Sequence, residues 1–358
     1  MKLPSLDYSA LSTKPASGAQ MSVSPVTKRL FIAIAASLLG VFAAGFTSHS
    51  SSVTSTMPYI VMTLVAGGVI AGLIGLYNWQ RKQAAMLSAF ALANNLDLQT
   101  HVSDPAYPGL MFQVGDSRKL NQRIIVPTDG NAIEIGNYQY STGSGKNRST
   151  HVLGFMRIKL PRRVPNMVLD SKANNFIGMF SNLPTAFNRD QVLQLEGTFN
   201  DHFTLYAPKA YERDALYVFT PDVMMALINY AGEYDIETVD NDLFIYSNGA
   251  FNLSNANTWQ ALLGLASKLS PEFEEQTDRY ADERVANRAV DFVAQPGQRL
   301  KRGYGKYALV GIVLYIGFNS FKFMHYSDNG LMQSLGALAV VFSIVVSILV
   351  WKLLQRRQ

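Results

Sequence analysis

Residues 202–230 read HFTLYAPKAYERDALYVFTPDVMMALINY, and their parsing sets the class of the polar middle of the chain. Phe203, Leu205 and Tyr206 predict a strand, Glu212, Arg213 and Asp214 a charged turn, and residues 216–219 a second strand. Thr220 is a good N-cap, Pro221 fits the first helical position, and Asp222 suits the positive end of a helix dipole. A helix is therefore predicted from there, with Val223, Met224, Leu227, Ile228 and Ala231 on its buried face. A strand, a turn, a strand and a helix within thirty residues make an α+β domain.

The segments on either side agree. A Pro- and Gly-marked stretch, DPAYPGLMF at residues 104–112, opens the domain. Residues 123–126 predict a short strand, stopped by Pro127 and the Asp129-Gly130 turn. Residues 133–140 and 151–160 predict a hairpin with TGSGKNRS at its tip. The apolar parity changes between Ile135 and Tyr138, which predicts a bulge at Gly136-Asn137. Residues 167–170 predict a further strand. Residues 192–196 pair with the 203–206 strand across Asn200-Asp201, and DND at 240–242 marks one more hairpin. Trp259, Leu262, Leu263 and Ala266 form a helical stripe. Ser270-Pro271 then starts a polar helix over about 271–294. The domain reads as residues 80–303, either one body or two lobes meeting near residue 188.

Outside it the composition changes. Residues 1–27 are Ser-, Ala-, Thr- and Pro-rich and predict a disordered tail. Apolar runs at about 30–47, 57–79, 307–324 and 331–354 predict four transmembrane helices, since about 20 residues cross a bilayer core. The second run continues as an amphipathic helix to Asn94-Asn95. Ala36, Gly40 and Ala44, then Gly68 and Gly72, have the fourfold spacing that lets membrane helices pack closely. Asn319 suits an interhelical hydrogen bond. The basic pairs Lys28-Arg29, Arg81-Lys82 and Arg356-Arg357, with residues 299–306, lie on one side, against Lys322 on the other. That asymmetry predicts a multi-pass cell-membrane protein with both termini and the central domain cytoplasmic. The fold expected is thus α+β, an integral membrane protein with a mainly antiparallel-sheet cytoplasmic domain between two transmembrane hairpins.

The chemistry is sparse. With no cysteine among 358 residues, thiolate nucleophiles, Cys-ligated zinc and iron–sulfur clusters are excluded. A net charge of +5 is too modest to indicate nucleic acid. GSGKN at 143–147 resembles a phosphate loop only in part. Tyr140 stands where a Gly is required, Asn147 where Ser or Thr is required, and a strand follows. Lys146, Arg148, Arg157, Lys159, Arg162 and Arg163 form a basic group suited to anionic lipid headgroups; a solvated strand face is the plainer alternative. His202, Glu212 and Asp214 are the candidates for acid–base catalysis, weighed against an exposed charged turn. No metal-ligand spacing occurs, and no cofactor is expected.

Phe203, Leu205, Tyr206, Arg213, Thr220, Pro221 and Met224 carry a resemblance. Over about residues 200–250 the order resembles an uncharacterised bacterial multi-span membrane protein family whose cytoplasmic α+β domain has no known function. The resemblance implies architecture and supplies no catalytic residue. The function expected is a membrane-anchored interaction, scaffolding or regulatory domain with a protein partner or a second copy. The alternatives are an enzyme acting on a membrane-proximal or lipid substrate, and a transporter subunit.

Overall fold

A computed structural model describes residues 3–12, 53–130, 132–175, 181–287 and 290–303, together with positions 315, 319 and 322. The chain divides into two compact units. One comprises Leu6–Asn95 with Ser254–Ala256. Its main element is α1 (Val53–Ala93). The helix stops where Asn95 enters the left-handed region, at φ 53°. Asn94 then accepts from the Asp7 amide (2.7 Å) and donates to the Asp7 carbonyl (2.9 Å), while Tyr8 stacks on Phe90 at 5.8 Å. A helical turn, Ser9–Ser12, thus forms within the expected disordered tail.

The expectation of four transmembrane helices is corrected. Among the described residues no helix is long and apolar enough to cross a membrane. The described side chains of α1 pass from Val69 and Leu73 to Gln80, Arg81, Lys82 and Gln83, so polar groups dilute its apolar stretch. The expected spans at 30–47 and 331–354 lie outside the described residues, as do Ala36, Gly40 and Ala44. The span at 307–324 is described only at Tyr315, Asn319 and Lys322, where Asn319 donates to the Tyr315 carbonyl one turn back (2.8 Å). Gly68 and Gly72 lie on exposed helix surface, and a Cβ at either would meet nothing within 4 Å.

The other unit holds an antiparallel sheet of seven strands: β1 (Asp97–Ser103), β2 (Asp116–Val126), β3 (Ile133–Thr142), β4 (Ser149–Ser171), β5 (Val192–Leu193), β6 (Phe203–Tyr206) and β7 (Asp235–Tyr246). Their order is β1-β2-β3-β4-β6-β5, with β7 along the other side of β4. β3 pairs with the first half of β4 and β6 with its end, so residues on both sides of 188 join one sheet.

Opposed residues of antiparallel strands share a face. Ile133, Ile135, Met156, Ile158, Leu243 and Ile245 fall on one face by that rule, and all are buried. Tyr138, Leu153, Phe155, Phe244 and Tyr246 fall on the other, an aromatic core plugged by Met111 and Phe112 from the 104–112 stretch. The plug lies so close that a Cβ on Gly109 would collide with Tyr246 Oη and sit 3.1 Å from the Phe244 ring. Gly109→Ala should therefore cost about 1–3 kcal/mol by overpacking. Denaturant unfolding checks this, and an unchanged midpoint would show that the plug yields freely.

Several local expectations change. Glu212–Val218 is a helix, α2, not a turn and strand. Tyr211, Ala215 and Val218 are buried at helical spacing while Leu216 and Tyr217 face solvent, a pattern that a strand cannot produce. The Thr220-capped helix α3 (Pro221–Ala231) follows as expected. α4 (Ala256–Asp278) is one helix through Pro271, and the described residues after it, expected to extend a polar helix to 294, are not helical before Gln295–Gln298. The β3–β4 register is unbroken at Gly136-Asn137; the irregularity sits in β2 instead, where Gln122 has φ 57°.

Two further changes build the site. β4 continues through residues 160–165, with register shifts on either side of Val164. Pro161 and Pro165 lie in those irregular stretches, as residues without an N–H must. DND is not a turn but a bend in β7 at Asp240, φ 51°. Tyr246 hydrogen-bonds Glu237 nine residues away at 2.9 Å. A straight strand would separate them by about 30 Å.

Candidate functional site

The bend in β7 and the bulges in β4 produce a carboxyl buried in the aromatic face. Glu237 stands opposite Val168 and is 2% exposed. It accepts hydrogen bonds from the Leu110 amide (2.6 Å), Asn166 Nδ2 (2.8 Å) and Tyr246 Oη (2.9 Å), all neutral donors. Burial pushes its pKa up to about 7, against the pull of those three bonds. Burial of Tyr246 and, after it, the Glu237 charge hold the Tyr246 hydroxyl well above the usual tyrosine range. Asn166 reaches it because the second bulge re-aims that side chain.

Glu237 contributes to the wall of a cavity of about 530 Å³. Residues 291–302 form a strap that lines the same cavity through Phe292 and residues 298–300 and 302, and hydrogen bonds tie it to the sheet and its loops. The Arg163 amide donates to Asp291 Oδ1 (2.8 Å), and the Leu300 amide to Asn166 Oδ1 (3.2 Å). Gln191 donates to the Lys301 carbonyl and accepts from its amide, both at 2.8 Å. Asn166 therefore joins the floor to the strap.

The rim is cationic. Arg163, Arg299 and Arg302 all line the cavity. Arg163 is held loosely by Asp240 at 3.6 Å. Arg299 and Arg302 are exposed, and no carboxylate of the described residues pairs with either. Phe187 and the 43%-exposed Phe292 add apolar surface to the same walls. A second cavity, about 590 Å³, shares Pro108, Gln113, Arg163 and Asp240 with the first.

That second cavity borders an ion-pair network. Glu134 takes Arg123 (2.7 Å), Arg157 (2.5 Å) and the Tyr107 hydroxyl, and Asp242 takes Arg157 and Lys159 (both 2.8 Å). The Arg157 guanidinium also lies over the Tyr107 ring at 4.8 Å. Burial pushes Glu134 up, but the bonds from Tyr107 and Arg123 and the two arginine charges outweigh it, and its pKa falls below the usual range.

A third polar cluster, away from the cavities, holds the chain after α4. Asp214 accepts from Tyr280 Oη (2.7 Å) and Arg284 (3.0 Å). Asp282 accepts from Tyr211 Oη (2.5 Å), the Ala294 amide (2.8 Å) and Arg284 (3.1 Å). Arg284 stacks over Tyr211 at 3.8 Å.

The sequence candidates disperse across this arrangement. His202 and Glu212 are exposed on separate elements, and Asp214 is buried in the Arg284 cluster. Lys146 and Arg148 sit at the β3–β4 tip, where Arg148 pairs with Asp116. Arg157 and Lys159 are engaged by Glu134 and Asp242, and Arg162 lies 3.8 Å from Asp291. Of the six, Arg163 alone reaches the first cavity. Glu237, Arg299 and Arg302 were missed as a site because nothing local marks residues more than fifty positions apart as neighbours. The paired prolines of PRRVP were the available signal. Among the described residues no group of three or more His, Asp or Glu side chains is arranged to hold a metal ion. No protein-family model, curated protein or solved structure matches the chain.

Proposed function

We propose that this chain is a non-catalytic interaction or regulatory domain that recognises an acidic partner in the groove between β7 and the 291–302 strap. The observation that carries the reading is the pair Arg299 and Arg302, exposed beside a concave cavity and ion-paired to no carboxylate of the described residues. Positive charge concentrated at a concave, low-dielectric wall attracts and holds anions. The network cations Arg123, Arg157 and Arg284, by contrast, are already paired with buried or half-buried carboxylates.

A panel of organic anions and their neutral congeners, matched in size and ionic strength, tests the reading by thermal unfolding. The anions should raise Tm, and Arg299→Ala with Arg302→Ala together should abolish the rise. Equal stabilisation by the neutral congeners would sink the proposal.

An enzyme is the second reading, favoured by Glu237. A carboxyl near pH 7 in a cavity suits general acid–base work. The donors around it are all structural, and no nucleophile stands beside it among its hydrogen-bond partners, so binding is preferred.

A further inference from the structure

We infer that the groove takes a small organic anion carrying an apolar body, and that binding of the anion drives proton uptake by the Glu237 carboxyl in its wall. The inference rests on the anion-binding reading of the same groove and specifies its ligand and its regulation.

Size comes first. A cavity of about 530 Å³ lies within the range of small-molecule pockets and is too confined for a folded partner. Its walls offer both kinds of surface: Arg163, Arg299 and Arg302 supply five-donor forks for carboxylate, sulfate or phosphate, while Val239, Phe292 and Phe187, which bridges to Arg302, supply surface for a ring or short chain. An inorganic ion would satisfy the arginines and leave the aromatic wall wet.

Proton uptake follows from what faces Glu237. From β7 come Tyr246, Asp240 and the neighbouring Asp235; from β4, Asn166, Arg163 and Asp170; from the plug, the Leu110 amide; from the strap, Arg299 and Arg302 at the rim. None of the cations hydrogen-bonds the carboxyl, whose three partners are neutral. An anion seated on the arginines draws off their field and brings a like charge into the same cavity. Both changes disfavour the ionised carboxylate. Because burial already places its titration at about 7, the carboxyl responds near neutral pH. By linkage, affinity should fall as pH rises, by up to about tenfold per unit above pH 7. The Asn166 side chain, bonded to both Glu237 and the Leu300 amide, passes the change in charge to the strap.

The test is calorimetric titration of the full chain with phenyl sulfate, whose charge does not vary with pH, in two buffers of unlike ionisation enthalpy at pH 7.5. The expected result is a buffer-dependent heat equivalent to roughly 0.4–0.8 proton taken up per anion. Affinity should weaken from pH 7 to 8.5, and phenyl sulfate should bind at least about tenfold tighter than inorganic sulfate, as an apolar ring leaving water requires. Glu237→Gln should abolish the buffer dependence. Heats independent of buffer, with affinity flat in pH, overturn the proton coupling; equal binding of inorganic sulfate overturns the ligand class. Either can fail while the arginine groove stands. Wild type that binds neither ion, or binds both undiminished when Arg299 and Arg302 are alanine, removes the groove reading itself.

Discussion

Arg157→Met lowers the unfolding free energy by about 3–5 kcal/mol. Arg157 is the shared cation of two carboxylates, bonded to Glu134 at 2.5 Å and to Asp242 through Nε and Nη2 at 2.8 and 3.1 Å. Asp242 is 2% exposed and Glu134 12% by side chain, so neither carboxylate can turn to water when its partner goes. Methionine fills much of the volume, and the loss is therefore electrostatic more than a cavity. Lys159 on Asp242 and Arg123 on Glu134 soften the damage without replacing the bidentate pair. The control is Arg148→Met at the exposed β3–β4 tip, whose single ion pair should contribute under about 1 kcal/mol. Urea unfolding of both variants decides the matter. Similar small losses in the two would mean that the Glu134–Arg157–Asp242 network is not the structural centre of the charged end of the sheet.

Stability should also fall as pH rises from about 5 to 7. Glu237 has its pKa raised to about 7 and Asp235 to about 6, in both cases by burial. Their unfolded values lie near 4, so between those limits the folded chain holds more protons than the unfolded one. Stability then declines with pH and levels off once both groups are ionised in both states. At 1.36 kcal/mol per unit, Glu237 contributes roughly 3 kcal/mol over pH 5–7 and Asp235 roughly 1 kcal/mol over pH 5–6. Glu134 and Asp282 act oppositely, because their folded pKa values are depressed, so their contribution is lost only as pH falls below about 4. A maximum near pH 5 results. Unfolding free energies at pH 5, 6, 7 and 8 measure the slope, and Glu237→Gln should remove most of it. Stability that is flat or rising between pH 5 and 7 would mean that neither carboxyl is shifted.

How far the sequence carried the fold depends on how local each determinant was. Thr220 and Pro221 made the start of α3 legible, because a cap and an N-terminal proline act within one turn. The β3–β4 hairpin was legible from alternation alone. Glu212, Arg213 and Asp214 misled because a charged triplet usually means an exposed turn, whereas Asp214 is buried by Tyr280 and Arg284 from seventy residues away. DND misled because its Asp240 bends a strand instead of reversing it; both uses draw on the tolerance of Asp for left-handed backbone. Residues 279–287 looked like a polar helix because nothing in them shows that Tyr280, Asp282 and Arg284 prefer partners on Tyr211 and Asp214 to a continued turn. The apolar segments predicted four spanning helices, and no helix of the described residues meets that description. The groove was the least legible feature of all. It needs two bulges, one bend and a strap tethered through Asn166, none of which leaves a motif.

The central claim is that the Arg299–Arg302 rim holds an acidic small molecule, and native mass spectrometry of the full chain purified from its own cells tests it most directly. The account predicts a bound anionic species that is released on denaturation and absent from the Arg299→Ala, Arg302→Ala double variant. Wild type and double variant carrying the same complement of bound species would contradict it.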